Sequence, residues 1–97
     1  MKESQIQTKI IKYLNGIGAY SIKTITTNRN GCPDVICCLN GRFIALEVKA
    51  DKGIVSQLQE HNIKLIRNSG GVAEVVRSVD DVKKVVENFP RENISGS

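Results

Sequence analysis

The dipeptide Asn40-Gly41 constrains this chain more than any other feature. Both residues tolerate the positive φ of a type I′ turn, and they separate two apolar, β-branched runs, Val35–Leu39 and Arg42–Lys49. A two-residue loop at that point fixes the register of a hairpin. Leu39 then faces Arg42, Cys37 faces Ile44 and Val35 faces Leu46, with Val48 at the end of the same apolar face. The other face carries Cys38 with Phe43, Ile36 with Ala45, and Asp34 with Glu47. Directly opposed side chains have Cβ atoms about 4.5–5.5 Å apart. Lys49 lies two residues past Glu47 on the same face, roughly 7 Å further along.

The register therefore sets two carboxylates against each other with an ammonium beside them. Like charges directly opposite are unfavourable in a sheet. A divalent cation held between them offsets that cost; an ion pair with Lys49 is the simpler alternative. Glu-x-Lys at a strand end is by itself a common solvated pair. The opposed Asp34 adds weight, and so does Pro33, which cannot donate to a ladder and marks where the strand begins. Gly31 lets the backbone turn tightly just upstream.

The rest of the chain supplies a frame for this hairpin. Ile6, Ile10, Tyr13 and Leu14 recur at helical spacing, which predicts a helix from Ser4 to Asn15, ended by Gly16 and Gly18. Ala19 to Thr27 reads as a strand whose alternation breaks between Ile22 and Ile25, and Asn28 to Gly31 as a turn. Ser56 to Asn68 is a second helix, Val72 to Arg77 a short strand, and Val79 to Phe89 a last helix. The order is αβββαβα, an α/β domain with its sheet covered by helices.

At 97 residues the chain is sized for one domain, placed at residues 1–89 with a polar tail over 90–97. A net charge of +4 leans towards a polyanionic partner. Cys32, Cys37 and Cys38 form neither a disulfide framework nor a zinc pattern, so a reducing, cytoplasmic setting is expected, with the adjacent pair serving as small buried apolar residues. No apolar run suggests a leader or a membrane span. No Gly-x-x-x-x-Gly-Lys-Ser/Thr loop suggests a nucleotide cofactor.

Pro33-Asp34 followed by Glu47-Val48-Lys49 resembles the pattern of the PD-(D/E)XK nuclease superfamily. Four segments in order, "KESQIQTKIIKYL", "GCPDVI", "FIALEVKADKG" and "SQLQ", resemble its VRR-NUC family of small phage and bacterial nucleases. The likeness extends through "GGVAEVV" and the closing helix. It implies a restriction-endonuclease-like core with a mixed central sheet. It further implies that Asp34 and Glu47 bind Mg²⁺ or Mn²⁺ with help from the Val48 carbonyl. Lys49 would orient or help deprotonate the attacking water and stabilise charge on the phosphate.

Two further residues carry a double reading. Glu3 falls within the apolar arc of the first helix, where the resemblance places a Glu near the metal; yet Ser4-x-x-Gln7 fits a capping box that would leave Glu3 outside the helix and solvated. Gln59 points along the apolar side of the second helix, towards the active site in the family; yet Ser56-x-x-Gln59 is again a capping box, and a side chain reaching back to cap is not expected to reach into a cleft as well. Arg29, Lys52 and Lys23 are candidate phosphate contacts, with Arg77 a weaker one. His61, the only His, reads as a solvated helix position.

The resemblance implies phosphodiester hydrolysis on branched DNA. Stand-alone members resemble Holliday-junction resolvases, and two symmetric cuts in a four-way junction call for a C2 homodimer. The alternatives are a flap or nicking nuclease, a nucleic-acid-binding module without catalysis, and a plain structural or interaction protein whose charged residues form surface ion pairs.

Overall fold

The computed structural model of the chain describes residues 1–88. In chain order the elements are α1 (Glu3–Gly16), β1 (Tyr20–Lys23), β2 (Val35–Leu39), β3 (Arg42–Val48), α2 (Gln57–Asn68), β4 (Val72–Val76) and α3 (Val79–Glu87). This is the expected αβββαβα order. The expected end of the last helix at Phe89, and the tail beyond it, lie outside the described residues.

The four strands form one sheet in the order β1-β2-β3-β4. β1–β2 and β2–β3 pair antiparallel and β3–β4 pair parallel, so the sheet is mixed. The hairpin has the register the Asn-Gly turn dictates, from Leu39 opposite Arg42 to Val35 opposite Leu46. Asn40 and Gly41 have φ of 53° and 80°, the two positive values a type I′ turn requires.

Side-chain alternation sorts the sheet into two faces. Val35, Cys37, Ile44, Leu46, Val48 and Val76 pack with Ile6, Ile10 and Leu14 of α1 and Val82 of α3 into the main core. Ala45 and Ala73 pack with Ile63 of α2 on the opposite face, joined by Ile36, Ile66 and Val75. Cys37 is buried in the main core while Cys38, next in sequence, is exposed. The expectation that both cysteines are buried is corrected by that alternation, because α2 does not extend over the β1–β2 side of its face.

β1 is shorter than the predicted strand over Ala19–Thr27. Its partner strand begins at Val35, opposite Lys23, and Pro33 has no N–H with which to continue the ladder. Thr24 closes the junction instead. Its N–H donates to the Asp34 carbonyl at 2.8 Å and its hydroxyl to the Pro33 carbonyl at 2.7 Å. From there the chain runs irregularly to Asp34 on the rim of the sheet.

The start of α1 also differs from expectation. The helix begins at Glu3, with Lys2 as its N-cap, and the Lys2 N–H donates to Gln5 Oε1 at 2.9 Å. No Ser4–Gln7 capping box forms. Ser4 is inside the helix and Gln7 is buried, so Glu3 is helical and half-buried rather than a solvated flank.

Candidate active site

Glu47 is the second-last residue of β3, paired with Val75 of β4 just beyond the last β2 pair and overlaid by α2. It is 1% exposed. A carboxylate so placed must find partners or lose its charge. Its Oε2 accepts a hydrogen bond from Gln59 Nε2 at 2.8 Å and lies 3.6 Å from Lys49 Nζ. Its Oε1 is buried with no hydrogen-bond partner. Burial, and secondarily the neighbouring Asp34 charge, push the Glu47 carboxyl up to about 7, against a smaller downward pull from Lys49.

Asp34 stands one residue before β2, where the ladder has ended. Its Oδ2 accepts the Val48 N–H at 2.9 Å, across to the far end of β3. The carboxylate thus replaces a strand partner, which anchors it on the Glu47 side of the hairpin. Lys49, just past β3, has a largely buried side chain, and its main-chain N–H donates to the Val76 carbonyl at 3.0 Å. The hairpin therefore brings Asp34, Glu47 and Lys49 together at one end of the sheet, with Val48 between the two β3-derived groups.

Gln59 overturns the expectation that capping and cleft contact compete. Its Oε1 accepts the Ser56 N–H at 2.9 Å while Ser56 Oγ accepts the Gln59 N–H at 3.1 Å, completing the capping box. Its Nε2 simultaneously donates to Glu47. A carboxamide has an acceptor end and a donor end, and here each serves one task. The reverse orientation would set the amide NH₂ against the Ser56 N–H, so the hydrogen bonding fixes the assignment.

Glu3 reaches the rim of the same region. Its Oε2 lies 3.2 Å from where a Cβ on Gly53 would sit, and so do Lys49 Cβ and Cδ. Gly53 thus lets α1 and the end of β3 converge. The loop between them is held from the other side, where Arg77 Nη1 donates to the Ala50 carbonyl at 2.6 Å. Arg77 is engaged in that clamp and is not presented as a phosphate contact.

Of the other basic candidates, Arg29 is exposed and lines a polar groove of about 380 Å³ together with Thr24, Thr26, Asn30 and Asp34. Lys52 is exposed in the turn after Lys49. Lys23 pairs with Val35, so its side chain leaves on the α1/α3 face, away from the Asp34–Glu47 side. His61 is exposed on α2.

Two contributors, Gly53 and Asn62, escaped the reading of the sequence, and Gly31, read there as a turn residue, has a second role. Gly53 looked like an ordinary loop residue. Gly31 has φ +78°, and a Cβ there would meet Leu58 Cγ at 2.7 Å and Asn62 Nδ2 at 2.9 Å, so α2 needs this glycine in order to approach. Asn62 is 4% exposed and donates to the carbonyls of Asn30 and Leu58. The available signal was its place beside Ile63 on the apolar side of α2, three residues after Gln59.

The donor set fits a hard divalent cation. Two carboxylates gather with an adjacent main-chain carbonyl, and one carboxylate oxygen is buried and unpartnered. Among the described residues no cluster of three or more His, Cys, Asp or Glu side chains forms at metal-binding range. Mg²⁺ is commonly held by one or two carboxylates while keeping several waters.

Comparison with known proteins identifies the family and the fold. The VRR-NUC domain family matches residues 1–80. A solved structure described as a VRR_NUC domain superposes with a TM-score of 0.79 at 25% identity, covering 93% of this chain and 99% of that one. A second, described as a VRR_NUC domain protein, gives a TM-score of 0.75 at 19% identity, covering 92% and 88%. The second likeness is one of fold. No curated protein matches the sequence.

Proposed function

The chain belongs to the VRR-NUC family, whose domain is of nuclease type, and from that premise we propose that it is a metal-dependent, structure-selective DNA endonuclease that cuts four-way junctions as a homodimer. The observation that carries the metal is Glu47, a buried carboxylate beside Asp34 with one oxygen left without a partner. Asp34, Glu47 and the Val48 carbonyl would hold Mg²⁺ or Mn²⁺, which when bound supplies Lewis acidity at the phosphate and a nucleophilic water.

The chain's own residues have separable tasks. Gln59 holds Glu47 Oε2 and leaves Oε1 for a ligand. Asp34 is locked to the Val48 N–H through Oδ2, so its other oxygen is the one turned to other uses. Lys49 Nζ, close to Glu47, orients the attacking water and neutralises charge that develops on the phosphate. Arg29 and Lys52 contact flanking phosphates. Glu3, at the rim, stands near Lys49 and completes the acidic side.

The junction and the dimer rest on the need for two symmetric cuts. A surface suited to a second copy is available. Tyr20, Ile22 and Phe43 are 76%, 46% and 45% exposed, on the sheet face that α2 leaves bare.

Labelled four-way junctions, flaps and linear duplexes, each incubated with Mg²⁺, Mn²⁺ or EDTA, test the reading. Paired symmetric cuts in junctions with metal, and none in EDTA, are expected. Cuts confined to flaps would replace the junction with another branched substrate. Salt-sensitive binding without cleavage would leave a binding module.

A further inference from the structure

Both acidic groups of the site are spaced by one helix. Gln59 on α2 grips Glu47 directly. One turn later Asn62, buried to 4% exposure, donates from Nδ2 to the Asn30 carbonyl at 3.0 Å and to the Leu58 carbonyl at 2.9 Å. The helix therefore also grips the segment that leads to Asp34. That segment is short and stiff. Gly31 lies where a Cβ would meet Leu58 and Asn62, and Pro33 is fully buried with its carbonyl tied to the Thr24 hydroxyl. Movement at Asn30 is passed to Asp34 with little slack between them.

We propose that Asn62 is a positioning residue for the metal site: through the Asn30 carbonyl and the Gly31–Leu58 contact it sets the distance between Asp34 and Glu47. The inference rests on the nuclease reading above. Asn62 bonds to neither carboxylate; its hydrogen bonds go to the carbonyls of Asn30 and Leu58. Its effect on catalysis runs through the affinity and geometry of the cation site. Partners hydrogen-bonded directly to metal ligands change metal affinity by about 10–100-fold when removed; Asn62 acts one connector further out, so its effect falls at the lower end of that range.

The experiment measures Mn²⁺ binding by calorimetry on the DNA-free protein, the metal-free melting temperature, and cleavage at rising Mn²⁺. Wild type is compared with Asn62→Ala, Leu58→Ala and the exposed control Lys64→Ala. Asn62→Ala is expected to weaken Mn²⁺ about tenfold or more, with kcat recovering as Mn²⁺ is raised and KM for DNA unchanged. Leu58 is half-exposed, so its truncation loosens the Gly31 contact without opening the core; it should shift Mn²⁺ affinity in the same direction by less. Lys64→Ala should match wild type.

A lower metal-free melting temperature in Asn62→Ala with wild-type Mn²⁺ affinity would reduce Asn62 to a fold-supporting residue and overturn the proposal. If Asn62→Ala does not fold, Leu58→Ala decides: weaker Mn²⁺ binding supports the proposal and wild-type binding overturns it. Wild-type protein that neither binds Mn²⁺ nor cleaves would instead remove the nuclease reading, and this inference with it.

Discussion

The two faces of β3 obey opposite rules although they alternate residue by residue. On one, Ile44, Leu46 and Val48 are almost wholly buried against α1 and α3. On the other, Ala45 and Glu47 meet α2, and the apolar cluster is small, with Ala45, Ile63 and Ala73 at its centre. The first face maximises apolar burial, worth about 1.5–3 kcal/mol for each large side chain. The second places a carboxylate, disfavoured by burial, at a position only 1% exposed. The lesson is a division of labour. A closed apolar layer stabilises the sheet well enough that the opposite layer can hold an acid in an unfavourable state, ready for a cation.

Exchanging the character of the two faces gives the largest effects. Glu47→Gln keeps the shape and an acceptor for Gln59 but removes the acid. Cleavage should fall on the order of a thousandfold, while the metal-free melting temperature holds or rises, because a strained buried acid has gone. Lys49→Ala should lose activity to a similar degree. A clear drop in the metal-free melting temperature of Glu47→Gln would mean that the acid supports the fold, and the comparison would collapse. Leu46→Ala, one residue away on the other face, should do the reverse. It removes about 2–5 kcal/mol of stability, lowering the melting temperature by roughly 10 °C or more, and any protein still folded should bind metal normally.

A pH titration of the metal-free chain sharpens the contrast. Glu47 is raised from an ordinary 4.5 to about 7, chiefly by burial. Between those values the folded chain retains a proton that the unfolded chain has released. Stability from this group is therefore complete below about 4.5 and is lost as pH rises through about 7. The loss is on the order of 3 kcal/mol. Urea melts in chelator should show it between mildly acidic and mildly alkaline buffer, and the slope should be absent from Glu47→Gln. An equal slope in both proteins would assign it to other groups.

How far this was legible in the sequence differs between local and non-local contacts. The hairpin register followed from Asn40-Gly41 alone, since two consecutive residues at positive φ leave one pairing open, and it set Asp34, one residue before the ladder, on the Glu47 side of the hairpin. The first helix of the main core followed from the spacing of Ile6, Ile10 and Leu14. What escaped were contacts between segments distant in sequence. The need for glycine at 31 and 53 is set by side chains from α2, α1 and β3. β1 was overextended because its end is decided by Pro33, two residues before the partner strand, not by its own residues. The wall behind Asn30 appears only once α2 has docked.

The smallest effect separates the two ends of Gln59. Ser56 and Gln59 make a reciprocal cap, and Gln59 alone also reaches Glu47. Ser56→Ala should remove one capping bond and lower stability by about 1 kcal/mol, leaving cleavage nearly intact because Nε2 still meets Glu47. Gln59→Leu should show the same modest loss of stability together with a much larger loss of activity, since Glu47 Oε2 then retains only Lys49. The decisive readout is the ratio of the two effects in each variant, from urea melts and single-turnover cleavage. If Ser56→Ala lowered activity as far as Gln59→Leu, the cap itself would be what holds Glu47 in place. The N-terminus of α2 would then act as one rigid unit, and the acceptor and donor ends of the carboxamide would have no separate roles.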